Sequence, residues 1–193
     1  MSPMSTPLFI VPGLGDSGPT HWQSDLEQRR PGTLRLRDAP WKVPDLELWV
    51  AELAAQLSTA PDVVLVAHSF GCLAASRLLQ RDAGRVRAAL LVAPADPCRF
   101  GIEGAFRARA LDVPAVLVAS ENDPWCDAEV ARRLALAWDA QHMSVGRAGH
   151  INVASGHGRW PLGERLADTL ARTYGGAGRA LRAYDAHRIT IAP

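Results

Sequence analysis

The chain has 193 residues, of which 48% are hydrophobic and 21% charged, and its formal net charge is +1. This length allows one domain with a sizeable core and is short for two. The near-neutral charge gives no electrostatic reason to expect nucleic acid or an anionic membrane as a partner. The sequence has no run of about eighteen apolar residues and no signal-like start, so we expect a cytoplasmic protein.

The three cysteines are at unrelated positions, Cys72, Cys98 and Cys126. Their number and spacing fit neither a disulfide framework nor a zinc site, and they suit a reducing compartment. The histidines are scattered and form no H-E-x-x-H pattern. We therefore expect neither a metal nor another cofactor.

Short apolar runs alternate with segments of helical periodicity along the chain. The runs that read as strands cover residues 7–13, 33–39, 62–68, 87–95, 113–120 and 142–148. The helical segments cover residues 20–30, 45–60, 71–84, 128–140 and 161–174. Continuous apolar strands between amphipathic helices predict an α/β fold with three layers, a doubly wound and mostly parallel sheet of about six strands. We expect a single domain over residues 7–174 and an extended or flexible tail over residues 175–193.

The first predicted strand runs into a glycine-rich loop that has two interpretations. Residues 13–18 read G-x-G-x-x-G, and Asp38 follows twenty residues later, which is typical of a dinucleotide-binding turn in an oxidoreductase. In such a turn, however, the helix begins inside the glycine motif. Here Thr20 and Gln23 form a capping-box pattern that predicts a helix start at Thr20 or His21, after all three glycines. The pattern therefore disfavours the dinucleotide interpretation.

The third predicted strand leads through a tight turn directly into a helix. The turn reads AHSFG, with Ser69 between the small residues Ala67 and Gly71. Small-x-Ser-x-small at a strand–helix junction is typical of a nucleophile elbow, where the serine hydroxyl stands above the sheet edge. We expect the neighbouring His68 side chain to diverge from the elbow and to pack or face solvent.

The acid and base that a serine nucleophile needs follow in the order Ser, Asp, His. Asp123 comes after the fifth predicted strand and His150 after the sixth. Because the carboxyl ends of parallel strands meet at one edge, the three residues are expected to converge there. Glu121 and Asp127 are less favourable candidates for the acid, since the first sits at the strand end and the second about a turn too late.

The glycine-rich loop then has a role in the same chemistry. A tetrahedral intermediate needs two preorganised backbone N–H donors for its oxyanion. The residue after the nucleophile, Phe70, is expected to supply one, and the loop after the neighbouring strand supplies the other through Leu14. We interpret the loop as half of an oxyanion hole.

With these motifs in place, the sequence resembles the α/β-hydrolases. More narrowly, it is similar to the small, cap-less serine hydrolases typified by bacterial YdeN and vertebrate retinoblastoma-binding protein nine. The resemblance rests on VPGLGDSGPTHWQSDLE, VLVAHSFGCLAASRLL, ASENDPWCDAEVARRLA and GRAGHINVASGHGRWPLGERL. It implies a Ser69–Asp123–His150 triad, no lid domain and esterase-like activity, with peptidase-like cleavage in one branch. Ala67 departs from the usual first glycine of the elbow.

The substrate pocket is expected to contain aromatic side chains near the catalytic edge. The candidates are Trp22, Trp41, Trp125 and His21, which favour a small acyl substrate with an apolar or aromatic group. Ester and amide substrates are not distinguished by the triad. The alternative function is a non-catalytic interaction protein that retains the hydrolase fold, and the oligomeric state is left open.

Overall fold

The computed structural model describes residues 6–106 and 109–175. Its strands are β1 Leu8–Val11, β2 Leu34–Arg35, β3 Val63–His68, β4 Val86–Val92, β5 Ala115–Ala119 and β6 Gln141–Ser144. Its α-helices are α1 Trp22–Arg29, α2 Leu46–Ser58, α3 Phe70–Leu79, α4 Ala128–Ala137 and α5 Pro161–Tyr174. Three short 3-10 helices add Pro97–Phe100, Glu103–Ala105 and Val153–Ser155.

The six strands form one parallel sheet in the order β2-β1-β3-β4-β5-β6. The chain runs outward from β1 to β2, then crosses back to β3 and continues in the other direction. The direction therefore reverses between β1 and β3, and such a switch point is where open α/β sheets bind ligands. The expected α/β fold with a doubly wound parallel sheet of six strands is confirmed, and no separate lid domain occurs among the described residues.

Helices cover both faces of the sheet because its strands are apolar on both sides. Phe9 and Val11 of β1 point into a cluster with α2, α3 and α4, whereas Leu8 and Ile10 point into a second cluster with α1 and α5. All four β1 side chains are at most 3% exposed. The alternation of side chains along each strand therefore produces two cores, one on each face, and leaves the strand ends to carry the polar residues.

All six strands are shorter than the apolar runs that predict them, and in β2 and β6 the backbone shows a reason. β2 was expected over residues 33–39 but spans two residues, and Asp38 beyond it has a φ of 54°. β6 was expected over residues 142–148 but ends at Ser144, shortly before Gly146 with a φ of 68°. Left-handed backbone interrupts an extended strand, which explains both differences. Of the predicted tail over residues 175–193, all but Gly175 lies outside the described residues.

The start of α1 corrects a detail of the expected helix cap. His21, not Thr20, is the N-cap, and its Nδ1 accepts a hydrogen bond from the Gln23 N–H at 3.2 Å. The helix begins at Trp22, after the whole glycine-rich loop. The geometry required for a dinucleotide turn is therefore not present at this junction. None of the described helices has the length and apolarity that crossing a bilayer would require.

The junction between β3 and α3 depends on a glycine. A Cβ atom added to Gly71 would overlap the Pro12 carbonyl oxygen and lie 2.7 Å from the Val11 carbonyl oxygen. Backbone atoms at the end of β1 cannot move without disturbing the strand. Gly71 thus sets how closely α3 approaches the sheet.

We expect Gly71→Ala to lower the unfolding free energy by about 1–3 kcal/mol, because the added methyl group overpacks a site bounded by backbone. The control is Gly104→Ala, where an added Cβ meets nothing within 4 Å, and which should change stability by less than about 0.5 kcal/mol. Chemical denaturation of both variants checks this. Equal stability of the two variants would contradict the close-approach argument.

Candidate active site

The predicted nucleophile lies on a strained turn at the end of β3. Ser69 has φ 55° and ψ −126°, a conformation that costs a non-glycine residue of the order of 1–3 kcal/mol. The Ser69 N–H donates to the Val92 carbonyl at 3.1 Å, and the Ser69 carbonyl accepts from the Cys72 N–H at 3.0 Å. These bonds tie the turn to β4 and to the first turn of α3. The surrounding fold thereby holds the side chain at the sheet edge.

The three residues predicted as a triad lie together. His150 Nε2 is 2.9 Å from Ser69 Oγ, and His150 Nδ1 is 2.9 Å from both carboxylate oxygens of Asp123. Asp123 and His150 are 8% and 7% exposed. A histidine held between a carboxylate and a hydroxyl in this way can take the hydroxyl proton while the carboxylate fixes its tautomer.

The acid and the base are connected through their loops as well as through their side chains. Ser120 Oγ accepts from the Ala148 N–H at 3.0 Å, and Asn122 Oδ1 accepts from the Gly149 N–H at 2.9 Å. Both acceptors follow β5, and both donors precede His150. The loop after β5 therefore fixes the position of the base as well as carrying the acid.

The glycine-rich loop after β1 packs directly against the elbow. A Cβ atom on Gly13 would lie 2.8 Å from Ser69 Cβ, so only glycine permits this approach. Among the hydrogen bonds of the described residues, the backbone N–H groups of Leu14 and Phe70 have no backbone acceptor. Leu14 and Ser69 line the same cavity. An oxyanion hole requires two amides that are free to donate to a substrate oxygen, and Leu14 and Phe70 stay predicted as these donors.

A buried arginine that the sequence patterns did not single out holds this loop in place. The Arg35 side chain is 4% exposed and donates to Asp16 Oδ1 at 2.6 Å, to the Ser17 carbonyl at 2.8 Å and to Glu27 Oε2 at 3.1 Å. Gln23 adds bonds from its amide to the carbonyls of Val11 and Val66. Arg35 is the second residue of the two-residue edge strand β2, and no local motif marks it as part of the site.

A cavity of about 270 Å³ opens beside Ser69. Its polar lining includes Asp16, Ser17, His21, His68, His150 and Asn152, and its apolar lining includes Leu14, Phe100 and Trp125. Of the four predicted pocket residues, Trp125 and His21 line this cavity. The sequence patterns missed Phe100, His68 and Asn152, because strand and helix periodicity does not show which side chains at strand ends and on loops turn towards a cavity.

The other two predicted pocket residues, Trp22 and Trp41, pack in or against the hydrophobic core and do not line this cavity. Trp22 is 2% exposed, and its indole Nε1 donates to the Ile151 carbonyl at 2.9 Å. Trp41 packs edge-on against Trp49 at 5.2 Å and accepts a bond from the Gly15 N–H through its carbonyl. The expectation that both indoles line the pocket is wrong, because one is enclosed in the core and the other faces α2.

Two histidines besides the predicted base contact the cavity. His21 and His68 pack at 4.9 Å between ring centroids, and His68 packs against His150 at 4.8 Å. Burial and the nearby Arg35 charge lower the pKa of His21 to about 4, and burial lowers the pKa of His68 well below its usual value. Both rings are neutral at physiological pH. The His68 side chain is buried, which is one of the two environments expected for it.

The cysteine side chains are not part of this site. Cys72 and Cys126 are buried, and burial raises the pKa of the Cys126 thiol to about 12. Buried protonated thiols are poor nucleophiles. In the described residues, no group of three or more histidine, cysteine or acidic side chains is arranged to hold a metal ion.

Comparisons with known proteins agree with this fold. A family model described as serine hydrolase matches residues 8–169. A YdeN-like hydrolase of Pectobacterium atrosepticum is 39% identical, with a TM-score of 0.83 over 87% of this chain and 91% of that chain. The ydeN gene product of B. subtilis is 22% identical, with a TM-score of 0.71 over 86% and 98%. An esterase of a Rhodococcus species, 15% identical with a TM-score of 0.64 over 89% and 92%, shares the fold. No curated protein matches the sequence.

The neutral His21 gives the folded protein a specific sensitivity to acid. Between pH 6.5 and about 4 the unfolded chain binds a proton at this residue that the folded chain does not, so stability rises with pH across this window. Above pH 6.5 the residue is neutral in both states and stability is at its highest, whereas the loss of stability is complete once the pH has fallen to about 4. For His21 it amounts to roughly 3 kcal/mol.

We therefore expect His21→Asn, which retains a good N-cap residue, to flatten the loss of unfolding free energy between pH 6.5 and 4. Denaturant titrations of both proteins across this range measure the difference. His68 contributes in the same direction in both proteins, so only the part of its effect that depends on the adjoining His21 differs between them. Identical pH profiles would show that His21 is not held neutral by the fold.

Proposed function

Because the chain belongs to the serine hydrolase family, we propose that it cleaves carboxylic esters of small substrates through an acyl-enzyme on Ser69. The observation that carries the proposal is the continuous hydrogen-bonded chain Ser69–His150–Asp123 on a strained elbow. A hydroxyl, an imidazole and a carboxylate in this order are the parts that nucleophilic acyl transfer needs.

In the first half of the reaction, Ser69 Oγ attacks the acyl carbon while His150 Nε2 takes its proton. The carbonyl oxygen becomes an oxyanion and accepts hydrogen bonds from the Leu14 and Phe70 N–H groups. The tetrahedral intermediate then collapses, the bond to the alcohol oxygen breaks, and the proton on His150 leaves with the alcohol. Asp123 stays ionised and stabilises the imidazolium throughout.

In the second half, a water molecule attacks the acyl-enzyme. His150 takes a proton from the water, the same two amides stabilise the second oxyanion, and the bond between the acyl carbon and Ser69 Oγ breaks. The proton returns to Ser69, and the carboxylic acid is released. Esters are the proposed class because an alcohol leaves more readily than an amine, and amide cleavage would use the same groups.

The cavity lining supports a small substrate with one apolar and one polar end. Trp125 is 48% exposed and Phe100 is half-buried, so both offer apolar surface to a substrate. His21 Nδ1 is occupied by the Gln23 N–H, which places the ring proton on Nε2. His21 thus supplies a neutral donor suited to an uncharged acceptor such as a carbonyl or hydroxyl oxygen. A volume of about 270 Å³ is at the lower end for ligand sites.

We expect Ser69→Ala to lower kcat for a p-nitrophenyl acetate substrate by ~10⁴- to 10⁶-fold, the range for loss of a triad nucleophile. A fluorophosphonate probe should label Ser69 in the wild-type protein and leave Ser69→Ala unlabelled. The matched control is Ser58→Ala, an exposed serine on α2, which should keep both activities. Turnover by Ser69→Ala near the wild-type rate would overturn the mechanism.

We expect Trp125→Ala to raise KM for a phenyl ester about 5- to 20-fold and to leave KM for a methyl ester of the same acid nearly unchanged. The reason is that an exposed indole stabilises an aromatic group mainly through stacking and apolar contact. The control is Leu136→Ala, because Leu136 is an apolar residue on α4 that is 79% exposed. Parallel KM changes for both esters would show that Trp125 does not contact the leaving group.

A further inference from the structure

The backbone directly after the proposed general base is strained. Ile151 has a φ of 46° and is fully buried. β-Branched residues rarely adopt this left-handed conformation because the branched side chain collides with the backbone. Gly149 on the other side of His150 also has a positive φ, of 59°, at a position where glycine is free to adopt it. The strained backbone at Ile151 therefore needs hydrogen bonds from other parts of the protein to keep its conformation.

Two ring N–H groups meet the carbonyls of His150 and Ile151. His68 Nε2 donates to the His150 carbonyl at 2.9 Å, and Trp22 Nε1 donates to the Ile151 carbonyl at 2.9 Å. Trp22 and His68 are 2% and 4% exposed. Water is therefore a poor substitute for either donor, and a buried carbonyl that loses its partner is costly.

The two donors connect the base to elements that are fixed independently of it. Trp22 is the first residue of α1, and His68 is the last residue of β3, next to Ser69. Their rings also contact each other edge-on, with centroids 6.1 Å apart. A shift of the His150 loop would have to break a bond to the strand that carries the nucleophile.

We propose that Trp22 and His68 are positioning residues that together clamp the backbone of His150 and Ile151 and so hold His150 Nε2 at Ser69 Oγ. The inference rests on the proposed function, since it assigns the pair a role through His150. Without the clamp, Ile151 relaxes towards negative φ and carries the His150 ring away from the hydroxyl. Displacements of about 1 Å in a catalytic group lower rates by as much as 100-fold.

The chain offers a matched control for the indole N–H. Trp138 is also fully buried, at 1% exposure, and its Nε1 has no hydrogen-bond partner among the described residues. Trp22→Phe and Trp138→Phe therefore remove the same atoms from a buried ring, but only the first removes a hydrogen bond. We expect Trp22→Phe to lower kcat about 10- to 100-fold with KM within about twofold, and Trp138→Phe to keep both.

His68 is tested with a pair of variants of similar size. His68→Gln retains an N–H donor on its side chain, whereas His68→Leu does not. We expect His68→Gln to keep several-fold more kcat than His68→Leu, even where the two have equal unfolding free energies. This pair decides the proposal if Trp22→Phe fails to fold.

Proton NMR of the His150 Nδ1–H group, which donates to Asp123, measures the position of the His150 ring without any turnover. We expect its downfield resonance to shift or broaden in folded Trp22→Phe and to be unchanged in Trp138→Phe. This signal separates the two proposals, because it reports on the position of His150 even if the chain hydrolyses no ester. Wild-type kcat and an unchanged resonance in both Trp22→Phe and His68→Leu would overturn the clamp, as would equal losses in Trp22→Phe and Trp138→Phe.

Discussion

The site depends on the close approach of three backbone segments at the carboxyl edge of the sheet. β1, β3 and the start of α3 meet where Gly71 lies against the Pro12 and Val11 carbonyls and Gly13 lies against Ser69. A side chain at either glycine would force these segments apart. The contact therefore places the nucleophile, its strained turn and the oxyanion loop in a single unit, and its apolar support comes from the cores on both faces of the sheet.

The catalytic edge is a set of loops that lie on a rigid sheet and are cross-linked by buried polar groups. Arg35 and Gln23 fix the loop after β1, Ser120 and Asn122 connect the loops that carry Asp123 and His150, and bonds to β4 fix the elbow. Loops would otherwise be among the least stable parts of a fold. Because these polar groups are paired across the loops, small displacements cost hydrogen bonds, and the geometry of the triad is preorganised.

Sequence reasoning predicts the sheet and the residues at its strand ends because both follow from local patterns. The runs that become β3, β4 and β5 are continuously apolar, and the small residues around Ser69 point to a tight turn. The order Ser69, Asp123, His150 along the chain matches the order of strand ends, so the pattern alone brings them to one edge. β2 and β6 are too long in the prediction because left-handed residues such as Asp38 interrupt them, and nothing in the local composition indicates this.

Local sequence patterns do not predict roles that depend on contacts between residues far apart in the chain. Trp22 and Trp125 look equivalent as aromatic residues near catalytic motifs, yet the first is buried against the His150 loop and the second is half-exposed at the cavity. The difference arises from the direction in which each side chain leaves the backbone, and period and spacing do not encode this direction at a helix start or on a loop. Arg35 was missed for the same reason, since its partners lie 8 to 19 positions away along the chain.

The three adjoining histidines show how one site can hold imidazoles with different tasks. His150 must become an imidazolium during the proposed reaction, and a second positive charge at the 4.8 Å distance of His68 would oppose that step. Burial keeps His68 and His21 neutral, as the lowered pKa values of both rings indicate. The neighbouring rings can then donate hydrogen bonds to the backbone and to the cavity without adding charge. The carboxylate of Asp123, which contacts only His150 among the three, stabilises the one imidazolium that the chemistry requires.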